Sequence, residues 1–134
     1  MIYLLDLNFT LITNSDQKRK PFREQIKTET YDLELLDLLK NEKVILLTAR
    51  PQVHKDFTLQ NIKEKTGRVF MDAYFNWGSF PHVFKEKVFV EEISIKYNGE
   101  FTAIESNPKS RKALSMHGVY AITKEEFKIE KFIL

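Results

Sequence analysis

Five short apolar runs punctuate the chain: Ile2 to Leu5, Val44 to Leu47, Val69 to Phe75, Phe101 to Ile104 and Val119 to Ile122. Each is strand-sized and rich in β-branched or aromatic residues. Between them the apolar residues fall at helical spacing: Leu35, Leu36 and Leu39 before the second run, Val53 and Phe57 after it, then Phe84, Val88 and Ile95. Runs that are continuous rather than alternating belong to strands covered on both faces. The pattern therefore predicts an α/β fold: a single doubly wound, Rossmann-like domain with a central parallel sheet of about five strands and helices on both faces. Pro51, Pro81 and Pro108 fit the first positions of three helices, where a missing N–H costs little. The last ten residues are expected to add an edge strand.

Composition narrows the class without changing the fold. A chain of 134 residues is read as one domain, 1–134, able to bury a core without cross-links. With 43% hydrophobic and 30% charged residues and four each of Gly and Pro, it is neither disordered nor repetitive. The absence of Cys excludes disulfides, thiolate metal sites and a thiol nucleophile, and fits a cytoplasmic location. The apolar start reaches Asp6 too soon for a spanning segment, so no membrane partner is expected. A net charge of +2 gives no general argument for nucleic acid; Lys18-Arg19-Lys20 and Lys109, Arg111, Lys112 read as solvated surface.

Ligands of open parallel sheets bind outside the carboxyl ends of the strands. Three such ends carry chemistry here: Asp6, Asn8 and Thr10 after the first run, Thr48 and Arg50 after the second, Glu105, Ser106 and Asn107 after the fourth. Thr48 and Ser106 taken singly also suit helix caps. His54, His82 and His117 have no metal-ligand spacing and read as structural or surface residues. Tyr74, Phe75, Trp77 and Phe80 cluster around Gly78, as a recognition loop or as a lid on the core.

The stretch Asp6-Leu7-Asn8-Phe9-Thr10-Leu11 resembles the Asp-x-Asp-x-Thr box of the haloacid dehalogenase (HAD) superfamily. Leu47-Thr48-Ala49-Arg50-Pro51 resembles the corresponding turn of its small phosphatases, and Phe84-Lys85 and Ile104-Glu105-Ser106-Asn107-Pro108 resemble its later elements. The resemblance implies a HAD-like domain with no cap and an Mg²⁺-dependent phosphohydrolase activity. Asp6 would be the nucleophile that forms an aspartyl phosphate, and Thr48 a donor to the phosphoryl group. Lys85, or failing it Lys87, would stabilise the charge. Thr10 and Arg50 are assigned to substrate binding, Arg50 equally as a brace of its turn. Asp6, the Asn8 carbonyl and one of Glu105, Ser106 and Asn107 would hold Mg²⁺. Members without a cap leave the phosphate site open, and these motifs resemble phosphatase modules of nucleic-acid end-repair enzymes. The expected substrate is a nucleotide or the terminal phosphate of a nucleic acid.

Two positions depart from the pattern. Asn8 stands where such phosphatases place an Asp that protonates the leaving oxygen, and an amide cannot do so; losing a general acid costs roughly 10²–10⁴ in rate. Ser106 stands where an acid is frequent, which lowers the charge offered to a cation. These departures motivate the alternative of a catalytically inactive HAD-fold protein acting through a protein partner.

Overall fold

The computed structural model describes residues 1–133. Five strands, β1 (Ile2–Leu5), β2 (Lys43–Pro51), β3 (Asp72–Asn76), β4 (Phe101–Ile104) and β5 (Tyr120–Ile122), form one parallel sheet in the order β3-β2-β1-β4-β5. The helices are α1 (Phe22–Thr28), α2 (Leu33–Leu38), α3 (Lys55–Thr66), α4 (Pro81–Val88), α5 (Ser94–Lys96), α6 (Pro108–Ser115) and α7 (Lys124–Ile133). The doubly wound α/β architecture expected from the apolar runs is present.

Strand alternation divides the core in two. Tyr3 and Leu5 of β1, with Val44 and Leu46 of β2, pack with Leu35, Leu36 and Leu39 around α2, Ile62 of α3 and Phe127 of α7. Ile2 and Leu4, with Ile45 and Leu47, pack on the opposite face with Phe84 and Val88 of α4 and Leu114 of α6. Covering both faces is what makes each run apolar throughout, since every buried Leu or Ile side chain contributes about 1.5–3 kcal/mol.

Several boundaries differ from the sequence reading. The third strand begins at Asp72, not Val69, because Gly67 ends α3 in the left-handed region (φ 78°). The chain then runs outside the sheet while Arg68 donates back to the carbonyls of Leu39 (2.8 Å) and Glu42 (3.1 Å). Pro51 closes β2 and is followed by a short 3-10 turn, Gln52–His54, whereas Pro81 and Pro108 do open helices. Between Thr10 and Thr48 there are two short helices rather than one. Ile95 is exposed because the π-helical stretch Phe89–Ile93 adds a residue per turn and passes the core positions to Phe89 and Ile93.

The expected C-terminal edge strand is helix α7 instead. Thr123 and Glu126 form a reciprocal capping box: Glu126 N–H donates to Thr123 Oγ1 (3.1 Å) and Thr123 N–H to Glu126 Oε1 (3.0 Å). Phe127, one residue later, anchors the helix edge-on against Tyr3, with ring centroids 5.5 Å apart.

Candidate active site

In this parallel sheet all five strands deliver their carboxyl ends to one edge, with β1 at the centre. Leu5 lies opposite Ile104 and faces the α2/α7 side, so by alternation Asp6 and Glu105 turn toward α4. Lys85, adjacent to the buried Phe84 of α4, meets both. Its Nζ donates to Asp6 Oδ1 at 2.9 Å and forms a short ion pair with Glu105 Oε1. The lysine is only 2% exposed, and Lys87, on the outer face of α4, is exposed.

The two oxygens of Asp6 have different surroundings. Oδ2 accepts from Thr10 Oγ1 (2.9 Å) and Ser106 Oγ (2.9 Å), with the Ser106 N–H at 3.4 Å. Oδ1 accepts only from Lys85 among the described residues. The same Ser106 hydroxyl lies 3.3 Å from the Asn8 carbonyl oxygen, so Asp6 Oδ2, Asn8 O and Ser106 Oγ form a compact oxygen cluster. Glu105 and Asn107 lie outside it. The second Glu105 oxygen accepts from the Asn107 N–H (2.9 Å), and the Asn107 side chain caps α6 by accepting from the Lys109 N–H (2.8 Å).

Charge follows geometry. Burial alone would raise the Asp6 pKa, but the Lys85 ammonium and the hydrogen bonds around it hold the carboxyl below its ordinary value. Glu105 goes the other way. Burial first and the Asp6 charge second raise it to about 7, with Lys85 only partly opposing. Burial would lower Lys85, but the two carboxylates keep its pKa above the ordinary lysine value.

The remaining sequence candidates divide into those near Asp6 and those behind it. Thr10 is buried and orients Asp6, and its backbone carbonyl accepts from Lys124 of α7 (2.9 Å). Thr48 is buried in the neighbouring strand β2, one residue past its last regular pairing with β3 at Leu47. Its hydroxyl oxygen accepts from the Arg50 N–H (3.1 Å), which leaves the hydroxyl proton to donate. Arg50 is a brace as it stands, not an open anion ligand. It is 2% exposed, donates to Glu29 through both terminal nitrogens, to Thr58 Oγ1 (3.1 Å), and to the Asn8 side-chain oxygen (3.2 Å). Asn8 is thereby fixed through its Oδ1. His54 packs against Phe22 and His117 meets Glu86 on the surface. Of the aromatic cluster, Phe75 is buried and Trp77 sets its ring edge-on to Phe84, while Phe80 is exposed.

Sequence reasoning missed Glu29, Thr58, Lys124 and Asp32, which support the site from behind. Lys124 also reaches Asp32 (3.1 Å), the cap of α2, and Lys128 reaches the same carboxylate (2.8 Å). None of these carries a spacing signal relative to Asp6.

An open parallel sheet with a buried, ionised acid at the end of its central strand defines the class: a doubly wound domain with its candidate chemistry at the carboxyl edge. No family model matches the chain, and no curated protein matches it. Among solved structures it is similar to a chain of the Pnkp1/Rnl/Hen1 RNA repair complex, with a TM-score of 0.73 and 16% identity over 91% of the present chain and 41% of the other. A second structure of the Pnkp1/Rnl/Hen1 complex matches equally, at 0.73 and 16%, over 91% and 45%. The chain thus spans less than half the length of each of these chains. At this identity the likeness is one of fold. Among the described residues no helix is long and apolar enough to cross a membrane.

Proposed function

We propose that this domain is an Mg²⁺-dependent phosphohydrolase of the HAD type that acts on a terminal phosphate of a nucleotide or nucleic acid. The observation that carries the proposal is the asymmetry of Asp6, with one oxygen held by Thr10 and Ser106 and the other facing Lys85 alone. The likeness to chains of an RNA repair complex supports the substrate class.

The oxygen cluster of Asp6 Oδ2, Asn8 O and Ser106 Oγ suits a hard cation in donor chemistry. Ser106 has one hydroxyl proton for two acceptors, Asp6 Oδ2 at 2.9 Å and the Asn8 carbonyl at 3.3 Å, so a cation here would take the place of that proton. These three residues would hold Mg²⁺, which when bound supplies neutralisation of phosphate charge. Only Asp6 among them carries a formal charge.

Asp6 Oδ1 attacks phosphorus and forms an O–P bond as the bond to the leaving oxygen breaks and its electron pair departs with that oxygen. Lys85 offsets the negative charge that spreads over the phosphoryl oxygens, and the Thr48 hydroxyl donates to one of them. Asn8 has no proton to give, so the leaving oxygen takes its proton from water and the step is slow for poor leaving groups. Water then attacks the aspartyl phosphate, the O–P bond to Asp6 breaks, and phosphate leaves with the carboxylate restored.

The test is phosphate release, with Mg²⁺, from an activated aryl phosphate, a nucleoside monophosphate and a 3′-phosphorylated oligonucleotide. Asp6→Ala should abolish release from the aryl phosphate, and Asn8→Asp should raise release from the poor leaving groups by roughly 10²-fold or more. Folded protein that is silent on all three substrates, with Asn8→Asp equally silent, would leave the binding-module alternative motivated by Asn8 and Ser106.

A further inference from the structure

The turn that follows Asp6 contains a residue the fold does not need. Phe9 adopts φ 59° and ψ 9°, the left-handed region that favours glycine and is unusual for a bulky side chain. The conformation is enforced from outside the residue, by its N–H donating to the buried Ser15 Oγ at 2.7 Å and by Thr10 packed beneath Asp6. A glycine would meet the same backbone demand without strain. The ring is 60% exposed and belongs to neither core cluster. Strain of this kind concentrates at functional sites, and Phe9 adjoins Asn8, whose carbonyl belongs to the oxygen cluster.

Its surroundings are basic. Lys18 Nζ lies 5.8 Å from the Phe9 ring centroid. Arg19 and Lys20 follow it in the same loop, both exposed, with Asp16 its one acid, whereas Arg23 lies on α1 beside Glu24 and stacks on Phe57. From the edge strand β3, the exposed Trp77 and Phe80 reach the same carboxyl edge of the sheet. Exposed aromatic faces interleaved with cationic side chains are the means by which proteins hold single-stranded nucleic acid, the rings stacking on bases and the cations following the phosphates. In a duplex the base faces are already covered. A protein partner would account for the rings but not for the basic run.

We propose that Phe9 is a stacking platform for an unpaired base beside the Asp6 site, and that Lys18, Arg19 and Lys20 follow the adjoining backbone, so that the substrate is a single-stranded end. The proposal rests on the phosphohydrolase reading for its substrate class, but its test does not depend on turnover. A short fluorescein-labelled single-stranded oligonucleotide without a terminal phosphate is titrated with the protein and with Phe9→Gly, Phe9→Tyr and Lys18→Ala, and anisotropy is followed at several salt concentrations. The same strand in a blunt duplex is the comparison.

The wild-type chain should bind the single strand in preference to the duplex. Phe9→Gly should weaken binding by roughly five- to hundredfold while its melting temperature stays level or rises. Phe9→Tyr should keep most of the affinity, and Lys18→Ala should reduce the slope of log affinity against log salt by roughly 0.7. Unchanged binding by Phe9→Gly, preference for the duplex, or no binding by the wild type would overturn the proposal, the last outcome assigning the aromatic rim to a protein partner. Hydrolysis of the aryl phosphate without oligonucleotide binding would remove this inference alone. Phe9-dependent binding without hydrolysis would remove only the proposed chemistry.

Discussion

Replacing Arg50 by Met should be among the most destabilising changes in this chain, because it strands Glu29. Arg50 is 2% and Glu29 1% exposed, and the guanidinium meets both carboxylate oxygens. The same group joins β2 to α3 through Thr58 and to the β1 turn through Asn8, and its Cζ lies 4.8 Å from the Phe22 ring centroid. Removing one partner of such a buried pair costs about 3–5 kcal/mol, chiefly because the other charge remains out of water. For a domain of this length that corresponds to a fall of roughly 10–20 °C in Tm. The assay is urea unfolding of Arg50→Met, Glu29→Gln and the double variant. Once the stranded charge is also removed, the double variant should recover about 2 kcal/mol relative to the sum of the singles. Glu24→Gln, which breaks the exposed pair with Lys27, should stay within about 0.5 kcal/mol and serves as the control. A cost under about 1 kcal/mol for Arg50→Met, or strict additivity in the cycle, would show that the clamp is incidental.

Glu105 gives a prediction in pH. Its folded pKa of about 7 lies above the ordinary 4.5, so its contribution to stability is fully present below 4.5 and lost as pH rises to about 7. In chelator the loss should be on the order of 3 kcal/mol, and Glu105→Gln should flatten it; an equally steep fall in that variant would refute the assignment. Asp6 acts in a separate, lower window, because its depressed pKa contributes stability above the ordinary 3.8 that is lost as pH falls through the folded value. Ser106→Asp should add a charge to the oxygen cluster and increase the rise in Tm produced by millimolar Mg²⁺, read by thermal shift against Ca²⁺-free and Mg²⁺-free controls. A smaller Mg²⁺ shift than in the wild type would place the cation elsewhere.

The sheet was legible because apolar runs and strands have the same length, and because strand ends in a parallel sheet share an edge, which points to Asp6, Thr48 and Glu105 together. Helix α7 declares itself by its start rather than by its apolar spacing. Thr123 to Glu126 spells a capping box, whereas the apolar residues after it, Phe127, Ile129, Phe132, Ile133 and Leu134, open with the Phe-Lys-Ile-Glu alternation of a strand. The Arg50–Glu29 clamp had no signal at all. The two residues are 21 apart, one at a strand end and one beyond a short helix, and only the packing of α1 on α3 brings them together.

The choice among Glu105, Ser106 and Asn107 was open to a period-two argument once the β1–β4 register is known. Leu5 pairs with Ile104, and the Glu105 N–H still donates to Ile122 O (2.9 Å), so Glu105 remains in strand alternation. Both Asp6 and Glu105 must then point to the α4 face, which is where Lys85 stands. A carboxylate committed to that lysine is turned away from the Asn8 carbonyl. Ser106, one step further, is the first residue free of the ladder, and Asn107 is taken by the start of α6. The residue that reaches the oxygen cluster is therefore fixed by where β4 stops pairing and not by which of the three side chains carries charge. An acid placed at position 106 should strengthen cation binding, and the acid already at 105 should not substitute for it.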